Sequence, residues 1–433
     1  MTYTIRYKLC LSATLLLCGV CALAAEPGLV IRAGRLLDVE SGEVLKDQSV
    51  RISDGKIVAI APWSTAPVDA VRQLDWSDYT VVPGLMDMHT HIADEGQTAD
   101  PATPLRSNPA RDAFIGARNA LDTLRAGFTT VRDVGVYRGF SDVALRDAIA
   151  AGLVPGPRMF VAGAYITIPQ GGGEITGLPK GMEVPAEFRR GVAATEGEVR
   201  ERVNHLLDNG ADFIKVIATG AVLTAGTEPG QSEYSEAQIR AAVEEAQRRG
   251  RFVTAHAHGA EGIKRAIRAG VRSIEHGSLM DDKAIAMLKK HGTWLVADIY
   301  NGDYIDRVGR RDGWSEEILR KNIETTDKQR EGFRKAVKAG VKIAYGTDSG
   351  VYPHGDNARQ FVYMVRYGMT PLQAIRSATI EAARLLGKET ELGSITVGKA
   401  ADLVAVACDP LHDIECLRQV RAVVKAGENI SLN

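Results

Sequence analysis

The chain has 433 residues, of which 45% are hydrophobic and 25% charged, and its formal net charge is −1 at pH 7. This composition is ordinary for a globular protein and excludes a fibrous one, and the near-zero charge gives no sign of a polyanionic partner such as nucleic acid. The length suffices for one large barrel and a smaller satellite domain.

Residues 1–24 have the three parts of an export signal. Arg6 and Lys8 give a basic start, Leu9 to Leu23 form an apolar stretch, and Ala22-Leu23-Ala24 matches a small-x-small cleavage site. The apolar stretch is shorter than the roughly 20 residues of a typical membrane span. We therefore expect a secreted protein, exported to a bacterial periplasm and not inserted in the membrane after cleavage. The alternative is an uncleaved anchor.

Short alternating strands separated by turns occupy both ends of the remaining chain. Turn signals stand at Glu40-Ser41-Gly42 and Ser53-Asp54-Gly55, and the same style returns at Leu403-Val404-Ala405-Val406. We therefore predict that residues 25–82 and 389–433 pair into one small β-sandwich domain.

We predict that residues 83–388 form the barrel domain, and from about Gly127 onward the chain repeats a unit of an amphipathic helix, a glycine stop and a short buried strand. A glycine in the left-handed conformation ends a helix at low steric cost, and a repeat of such junctions indicates parallel strands. The stops are at Gly127, Gly210, Gly250, Gly270, Gly292 and Gly340.

The apolar runs of this region give the strand count. They are Val81–Met88, Phe128–Val131, Arg158–Ala164, Phe213–Ile217, Phe252–Ala255, Val271–Ile274, Thr293–Ile299 and Val341–Tyr345. Eight strands with intervening helices predict an α/β fold of the (β/α)8, or TIM barrel, type. A doubly wound open sheet is the alternative, but no glycine-rich dinucleotide fingerprint follows an early strand.

Removal of the signal leaves two cysteines, Cys408 and Cys416. In an oxidising compartment they could form a local disulfide. They could equally stay unpaired beside strand ends, because sequence spacing does not fix the Cα separation.

Side chains that bind metals stand where several of the apolar runs stop. In a barrel of parallel strands these ends converge on one face, where such barrels carry out their chemistry. Alone, a buried histidine or lysine is more often a packed or paired side chain, but an ordered series at strand ends favours a metal-dependent enzyme. The candidate ligands are His89, His91, Lys215, His256, His276 and Asp348.

The motifs around these residues resemble the amidohydrolase superfamily. They are Val82 to His91, Gly127 to Asp133, His256-Ala257-His258-Gly259, Ile274-Glu275-His276-Gly277 and Gly346-Thr347-Asp348. More closely, the chain is similar to the imidazolonepropionase-related branch, which contains prolidases, carboxypeptidases acting on dipeptides, and amidases that release an aromatic amino acid. The resemblance covers essentially the whole mature chain.

This resemblance implies two divalent ions bridged by a carboxylated Lys215. His89 and His91, which lie at i and i+2 on a strand end, would hold the first ion with Asp348, and His256 and His276 the second. Zinc suits this donor set best, with manganese and cobalt as alternatives. Two ions can activate a shared water, whose proton Asp348 would take and pass to the departing nitrogen. A deaminase of the superfamily typically lacks the bridging lysine.

Three further residues are candidates for substrate contact. The resemblance places Tyr234 near the substrate, where its phenol could donate to the developing oxyanion as a catalytic group, although a tyrosine on a surface turn is the alternative. His258 and His354 are candidates for binding a substrate carboxylate. Relatives often have a histidine in the glycine-rich loop that reads Pro169 to Glu174 here, and Glu174 either attracts a basic side chain or is solvated.

Together these observations predict a secreted binuclear hydrolase that cleaves the amide bond before a C-terminal amino acid in a dipeptide or an N-acyl amino acid. We expect a small-molecule substrate, no nucleic acid, and a homo-oligomer. One alternative is a lactonase or phosphotriesterase that uses the same metal centre. Another is a non-catalytic periplasmic binding protein on a decayed barrel.

Overall fold

The structure is a computed structural model that describes residues 28–63 and 72–432. The predicted export signal of residues 1–24 lies outside the described residues. In the parts that are described, no helix has both the length and the apolar composition needed to cross a membrane.

Strands begin and end the described chain and alternate with helices in its middle. The strands are β1 (Leu29–Leu37), β2 (Val44–Ser53), β3 (Lys56–Pro62), β4 (Arg72–Pro83), β5 (Leu85–Thr90), β6 (Phe128–Asp133), β7 (Arg158–Val161), β8 (Tyr165–Ile166), β9 (Ile214–Ile217), β10 (Val253–Gly259), β11 (Ser273–Leu279), β12 (Trp294–Val296), β13 (Leu403–Val406), β14 (Val420–Lys425) and β15 (Glu428–Ile430).

The helices fill the connections between β5 and β13. They are α1 (Pro109–Arg125), α2 (Ser141–Ala150), α3 (Glu196–Asp208), α4 (Glu236–Arg248), α5 (Ala260–Ala269), α6 (Asp282–His291), α7 (Asn301–Asp312), α8 (Glu316–Ala339), α9 (Arg359–Arg366), α10 (Pro371–Ser377) and α11 (Ile380–Leu386). Short 3-10 turns stand at Thr103–Arg106, Ala186–Phe188 and Ile414–Arg418.

Both ends of the chain contribute to one seven-stranded sheet, in the order β15-β14-β13-β4-β1-β2-β3. β13 pairs antiparallel with β4, so that Leu403 lies opposite Pro83. Alternate residues of β1, including Ile31 and Ala33, are fully buried and pack with Trp76 in one apolar cluster. The predicted pairing of the two ends is therefore confirmed, whereas the domain limits 25–82, 83–388 and 389–433 stay predictions.

The middle of the chain is an α/β fold with two parallel sheets. One has the order β12-β11-β10-β9-β8 and the other β5-β6-β7. The predicted strand Arg158–Ala164 is broken at Gly163, whose backbone N–H donates to the carboxylate of Asp142 and whose carbonyl accepts from Phe140. Because these bonds replace ladder hydrogen bonds, β7 and β8 fall into different sheets.

The predicted eighth strand, Val341–Tyr345, is also interrupted. Its segment makes isolated parallel bridges, Leu295 to Ile343 on one side and Thr90 to Ser349 on the other. The side-chain amide of Gln360 donates to the carbonyls of Ala297 and Gly346, where a ladder would otherwise continue. The segment thus lies between β12 and β5 without forming a regular strand, and no closed barrel is formed within the described residues.

The predicted helix ends agree with the structure. All six glycine stops have positive φ, between +67° and +97°, which is the left-handed conformation expected after a helix. A capping box begins α4, because the Ser235 side chain accepts from Gln238 N–H and the Gln238 side chain accepts from Ser235 N–H. These local signals determine where these helices begin and end.

Cys408 and Cys416 form a disulfide, with their Cα atoms 5.6 Å apart. This separation lies in the usual range for such a bond. The bond closes the short connection between β13 and β14 and resolves the choice that the sequence left open.

Candidate active site

One cavity opens at the carboxyl ends of the parallel strands, and all six predicted metal ligands line it. Parallel packing of β9, β10 and β11 brings Lys215 beside Thr254 and places His256 beside Glu275 in neighbouring strands. The side chains at these strand ends therefore converge on the face where a barrel-type enzyme carries out its chemistry.

The first group of ligands is His89, His91 and Asp348. The Nε2 atoms of His89 and His91 lie 3.4 Å and 3.1 Å from the same oxygen, Oδ1 of Asp348. The other nitrogen of each ring makes a hydrogen bond to the protein. Nδ1 of His89 is 2.9 Å from Glu275, and Nδ1 of His91 is 2.8 Å from the carbonyl of Gly135. Such outer contacts fix the ring orientation of metal-binding histidines.

The second group contains His256, His258 and His276, which each offer one ring nitrogen within 4.8 Å of the others. Nε2 of His256 lies 3.2 Å from the carbonyl of Gly220, and Nδ1 of His276 lies 2.9 Å from Asp298. One nitrogen of each ring is thereby occupied, and the other is free to bind an ion. His258 belongs to this cluster as well as lining the cavity.

Lys215 lines the same cavity and is only 2% exposed. Burial disfavours its ammonium form and lowers the pKa of Lys215 to about 8, although Glu275 and Asp348 oppose the change. A substantial fraction of unprotonated amine at neutral pH is what addition of carbon dioxide to a lysine requires, because only the free amine is a nucleophile. The position of Lys215 thus suits the modification that the motifs imply.

An ion pair buried behind the ligands fixes His89. Arg132 and Glu275 are both 0% exposed, and Arg132 Nη2 lies 2.8 Å from Glu275 Oε1. Burial alone would raise the pKa of Glu275, but Arg132 and His89 hold this pKa well below its ordinary value. The ionised carboxylate therefore accepts from His89 Nδ1 and leaves Nε2 of this ring facing Asp348.

A second carboxylate supports His276 and reaches Asp348 through an amide. Asp298 accepts from His276 Nδ1, from Gln329 Nε2 at 2.9 Å and from Asn301 Nδ2 at 2.8 Å. The same Asn301 amide lies 3.1 Å from Asp348 Oδ2. Helices α7 and α8 thus position two ligands from outside the strand ends.

Sequence reasoning missed these supporting residues, although two of them stand in motifs that it quoted. Arg132 precedes Asp133 and Glu275 precedes His276, so a charged residue within an otherwise buried strand was a usable signal. Asp298 lies two residues after the end of β12, a position comparable to that of His91 after β5. Asn301 and Gln329 lie on helices and carried no such signal.

Two of the ligands have left-handed backbone conformations. φ is +69° at His276 and +56° at Asp348, a region that residues other than glycine, asparagine and aspartate seldom adopt. A conformation of this kind costs about 1–3 kcal/mol and tends to occur at functional sites. It turns each side chain away from its strand direction and toward the cavity.

The donor set fits divalent cations of the zinc type. Two neighbouring groups of imidazole nitrogens and carboxylate oxygens face one cavity, their rings are oriented by hydrogen bonds, and Asp348 and His276 also meet in a third group with Asp298. Imidazole and carboxylate together suit zinc, manganese or cobalt. The residues that could hold two ions are therefore His89, His91 and Asp348 for one, and His256 and His276 for the other.

Two predicted substrate residues lie outside the cavity lining. Tyr234 is 1% exposed, and its hydroxyl donates to the carbonyl of Ala193 at 2.7 Å. Burial also raises the pKa of this phenol. The hydroxyl of Tyr234 thus makes a structural hydrogen bond and does not face the cavity, where the catalytic and substrate-binding role was predicted. His354 does not line this cavity, and burial lowers the pKa of His354 to about 3; its contact with a substrate carboxylate stays a prediction.

The glycine-rich loop lines the cavity through Gly172 and Gly173. Glu174 is buried and forms an ion pair with Arg189 at 2.7 Å. The carboxylate of Glu174 is therefore not solvated, and the basic side chain that it attracts is Arg189 of the chain itself.

The residues 80–430 match the model of the amidohydrolase family. Among curated relatives, an ochratoxinase of Aspergillus niger is 32% identical over 411 residues, covering 91% of this chain and 84% of that protein. An imidazolonepropionase of Symbiobacterium thermophilum is 27% identical over 422 residues, covering 89% and 91%. The chain is also similar to a solved Xaa-Pro dipeptidase with methionine bound in its active site, with a TM-score of 0.87, 38% identity, and coverage of 93% and 99%.

The family match spans the strand ends that carry the candidate ligands and, within the terminal sheet, the end of β4 and the strands β13 to β15. The sequence motifs, the convergence of the ligands in one cavity and these similarities agree. The chain belongs to the amidohydrolase family and is a hydrolase that acts on amide bonds.

Proposed function

We propose that this hydrolase uses two divalent metal ions to cleave the amide bond before a C-terminal amino acid in dipeptides or N-acyl amino acids. The observation that carries the proposal is the meeting of two ligand groups in one cavity that Lys215 also lines. The similarity to a Xaa-Pro dipeptidase and to an ochratoxinase supports an amide substrate of this kind.

In the proposed site, His89, His91 and Asp348 would hold one ion and His256 and His276 the other, and a carboxylated Lys215 would offer further oxygen ligands. When bound, the ions, of which zinc suits the donors best, would acidify a water and polarise the scissile carbonyl. Arg132 and Glu275 keep the ring of His89 in its binding orientation.

Asp348 is the proposed general base and acid. Burial alone would raise its pKa, but His89 and His91 hold the pKa of Asp348 well below its ordinary value, so that its carboxylate is ionised near neutral pH. The carboxylate can accept a proton from the attacking water and then give it to the departing nitrogen. Asn301 orients this carboxylate from its other oxygen.

His258 is the proposed contact for the substrate carboxylate. Its Nδ1 lies 2.7 Å from the hydroxyl of Ser278, and burial lowers the pKa of His258 to about 3. When Ser278 donates to Nδ1, the neutral ring has its proton on Nε2, from which it can donate to an anionic oxygen in the cavity.

Metal analysis tests the binuclear centre. Purified protein should contain about two divalent ions per chain and lose activity with a chelator, and metal together with bicarbonate should restore it. The Lys215→Met variant should be inactive, and metal together with bicarbonate should not restore its activity, because no amine is left to carboxylate. Elemental analysis that finds one ion in fully active protein would contradict the scheme.

The substrate class is tested through the free carboxylate. Amidation of the C-terminus of a good dipeptide substrate should lower kcat/KM by about 10²-fold or more, because a buried donor then loses its anionic partner. In the His258→Gln variant the same amidation should cost much less. Both rates are measured at equal metal content.

The same measurement separates the alternative functions. Equal efficiency toward the amidated peptide, or preference for an aryl ester or lactone, would favour a lactonase or phosphotriesterase on the same ions. A protein that binds these compounds without turnover at full metal content would be a binding protein.

We also propose export to an oxidising compartment such as the periplasm. The Cys408–Cys416 disulfide supports it, because such bonds persist mainly outside the reducing cytosol. The signal peptide and a homo-oligomeric state stay predictions.

A further inference from the structure

A second cavity adjoins the proposed active site, and we call it the outer cavity. The two cavities share five lining residues, which are Glu95, Gln97, Tyr137, Leu223 and Thr224. The outer cavity extends from there over residues 95–104, the loop 174–177 and the start of α8. A substrate bound at the ligands therefore has a direct path into it.

An apolar wall runs from one cavity into the other. Trp314 and Ile318 line the outer cavity, and Leu223 lines both. These side chains pack in one cluster with Ile305 and Val351, which line the inner cavity. Pro101, Pro104 and Ile175 extend the apolar surface outward. Continuous apolar lining of this kind stabilises a bound apolar group by removing it from water.

The charged groups of the outer cavity are all acidic among the described residues that line it. They are Glu95, Asp100, Glu174 and Glu317. Each is paired with a base that does not line the cavity, respectively Arg111 at 2.7 Å, Arg106 at 2.5 Å, Arg189 at 2.7 Å and Lys321 at 2.7 Å. The paired bases offset the charge of these carboxylates, and none of the described residues lining the cavity is cationic. An anionic group of a substrate would therefore lose water there without gaining a cationic partner, so the cavity disfavours negative charge.

The wall is held in place before any ligand binds. The ammonium of Lys321, which is 0% exposed, donates to the carbonyls of Thr224 and Thr227 at 2.8 Å. The hydroxyl of Thr224 donates to the carbonyl of Gly172 at 2.7 Å. These bonds connect the loop that contains Thr224 and Thr227 to α8 and to the glycine-rich loop. Substrate binding therefore has to order little of this loop, and the entropic cost is small.

These charges also orient the substrate. A C-terminal amino acid carries a carboxylate, which finds no cationic side chain among the described residues that line the outer cavity, whereas His258 in the inner cavity can donate to it. The leaving amino acid therefore stays in the inner cavity, and the acyl side of the scissile bond points outward.

We propose that the outer cavity is the subsite for the acyl part of the substrate and that it takes a bulky, apolar group without negative charge, aromatic rings included. This inference rests on the proposed function and narrows it to amino acids acylated by large neutral groups. A small acyl group would be hydrolysed but would leave the outer cavity filled with water.

A series of acyl groups on one leaving amino acid tests the inference. The compounds are the acetyl, 2-naphthoyl and 6-carboxy-2-naphthoyl derivatives, each made with L-proline and with L-phenylalanine. For the better leaving amino acid, kcat/KM should be at least about 10-fold higher for naphthoyl than for acetyl. The added carboxylate should lower it by about 10-fold or more from the naphthoyl value. Equal values for the three compounds would overturn the inference.

A filling variant locates the effect in this cavity. Ala99 is exposed and lines the outer cavity, so Ala99→Trp should lower kcat/KM for the naphthoyl compound by a larger factor than for the acetyl compound and so remove the naphthoyl advantage. Ala151→Trp, at an exposed position that lines neither cavity, should change neither rate. Trp314→Ala should weaken the naphthoyl preference from the opposite wall.

The outcomes separate the inference from the function on which it rests. Loss of the naphthoyl advantage in both Ala99→Trp and Ala151→Trp, or in neither, would overturn the subsite while acetyl hydrolysis still supports the amidase. Absence of hydrolysis for all six compounds at full metal content would instead contradict the proposed function.

Discussion

Asp348→Asn should lower kcat by about 10²–10⁴-fold, the range expected when a positioned general acid–base group is lost. The amide has no basic oxygen that can take a proton from the attacking water, although its single carbonyl oxygen can still face an ion. Metal content should fall by less than half, because the histidine ligands are unchanged. Steady-state kinetics and elemental analysis on the same preparation measure both quantities.

An exposed aspartate supplies the matched control. The side chain of Asp327 is 97% exposed on α8, so Asp327→Asn should keep the wild-type rate. If Asp348→Asn turned over at a near-normal rate with its ions bound, Asp348 would have no part in proton transfer. If the variant instead lost both ions, its slow rate would report ligation alone, and kinetics with added metal would then decide.

Arg132→Met should lower the free energy of unfolding by about 3–5 kcal/mol, because it leaves the carboxylate of Glu275 buried without its cation. Both partners are 0% exposed, and Arg132 also donates to the carbonyl of Met88 at 2.6 Å and to the hydroxyl of Ser273 at 2.9 Å. Denaturant unfolding with and without metal would measure the loss in stability.

Two further variants show whether the cost comes from the unpaired charge. Arg132→Met combined with Glu275→Gln should recover part of the lost stability, because the amide carries no charge. Arg310→Met removes an exposed arginine whose pair with Asp306 spans 2.8 Å, and should cost less than about 1 kcal/mol. Equal effects of Arg132→Met and Arg310→Met would contradict the role of the buried pair.

The contribution of Glu275 to the free energy of unfolding depends on pH with a defined sign. The pKa of Glu275 is held below its ordinary value of 4.5 by Arg132 and His89. Its contribution to stability is therefore present above pH 4.5 and is lost as the pH falls toward the folded-state value. The stability gap between the wild type and Arg132→Met should accordingly narrow on acidification below that pH.

The sequence predicted those parts of the molecule that local chemistry determines. Glycine after a helix, as at Gly270 and Gly340, marks a left-handed stop wherever it occurs, so the helix ends were correct. Ligands such as His256 and His276 were found because a polar residue at the end of an apolar run is unusual. Parallel packing then placed them on one face.

The features that the sequence did not predict depend on residues far apart in the chain. The partner of Arg132 is Glu275, and the amide that interrupts the predicted eighth strand belongs to Gln360. No window of sequence contains either pair. Tyr234 was assigned by resemblance alone, and its hydroxyl is instead occupied by the carbonyl of Ala193.

The strand order of the terminal sheet determines when this sheet can be completed during synthesis. β4 lies between β1 and β13, so its second edge is covered only when residues 403–406 have been made. Until then the early strands present unpaired N–H and C=O groups, which invite pairing with another chain. A chain truncated before β13 should therefore associate with itself instead of remaining as a smaller folded unit. The full chain should gain its resistance to proteases only after β13 and the residues that follow it have been made.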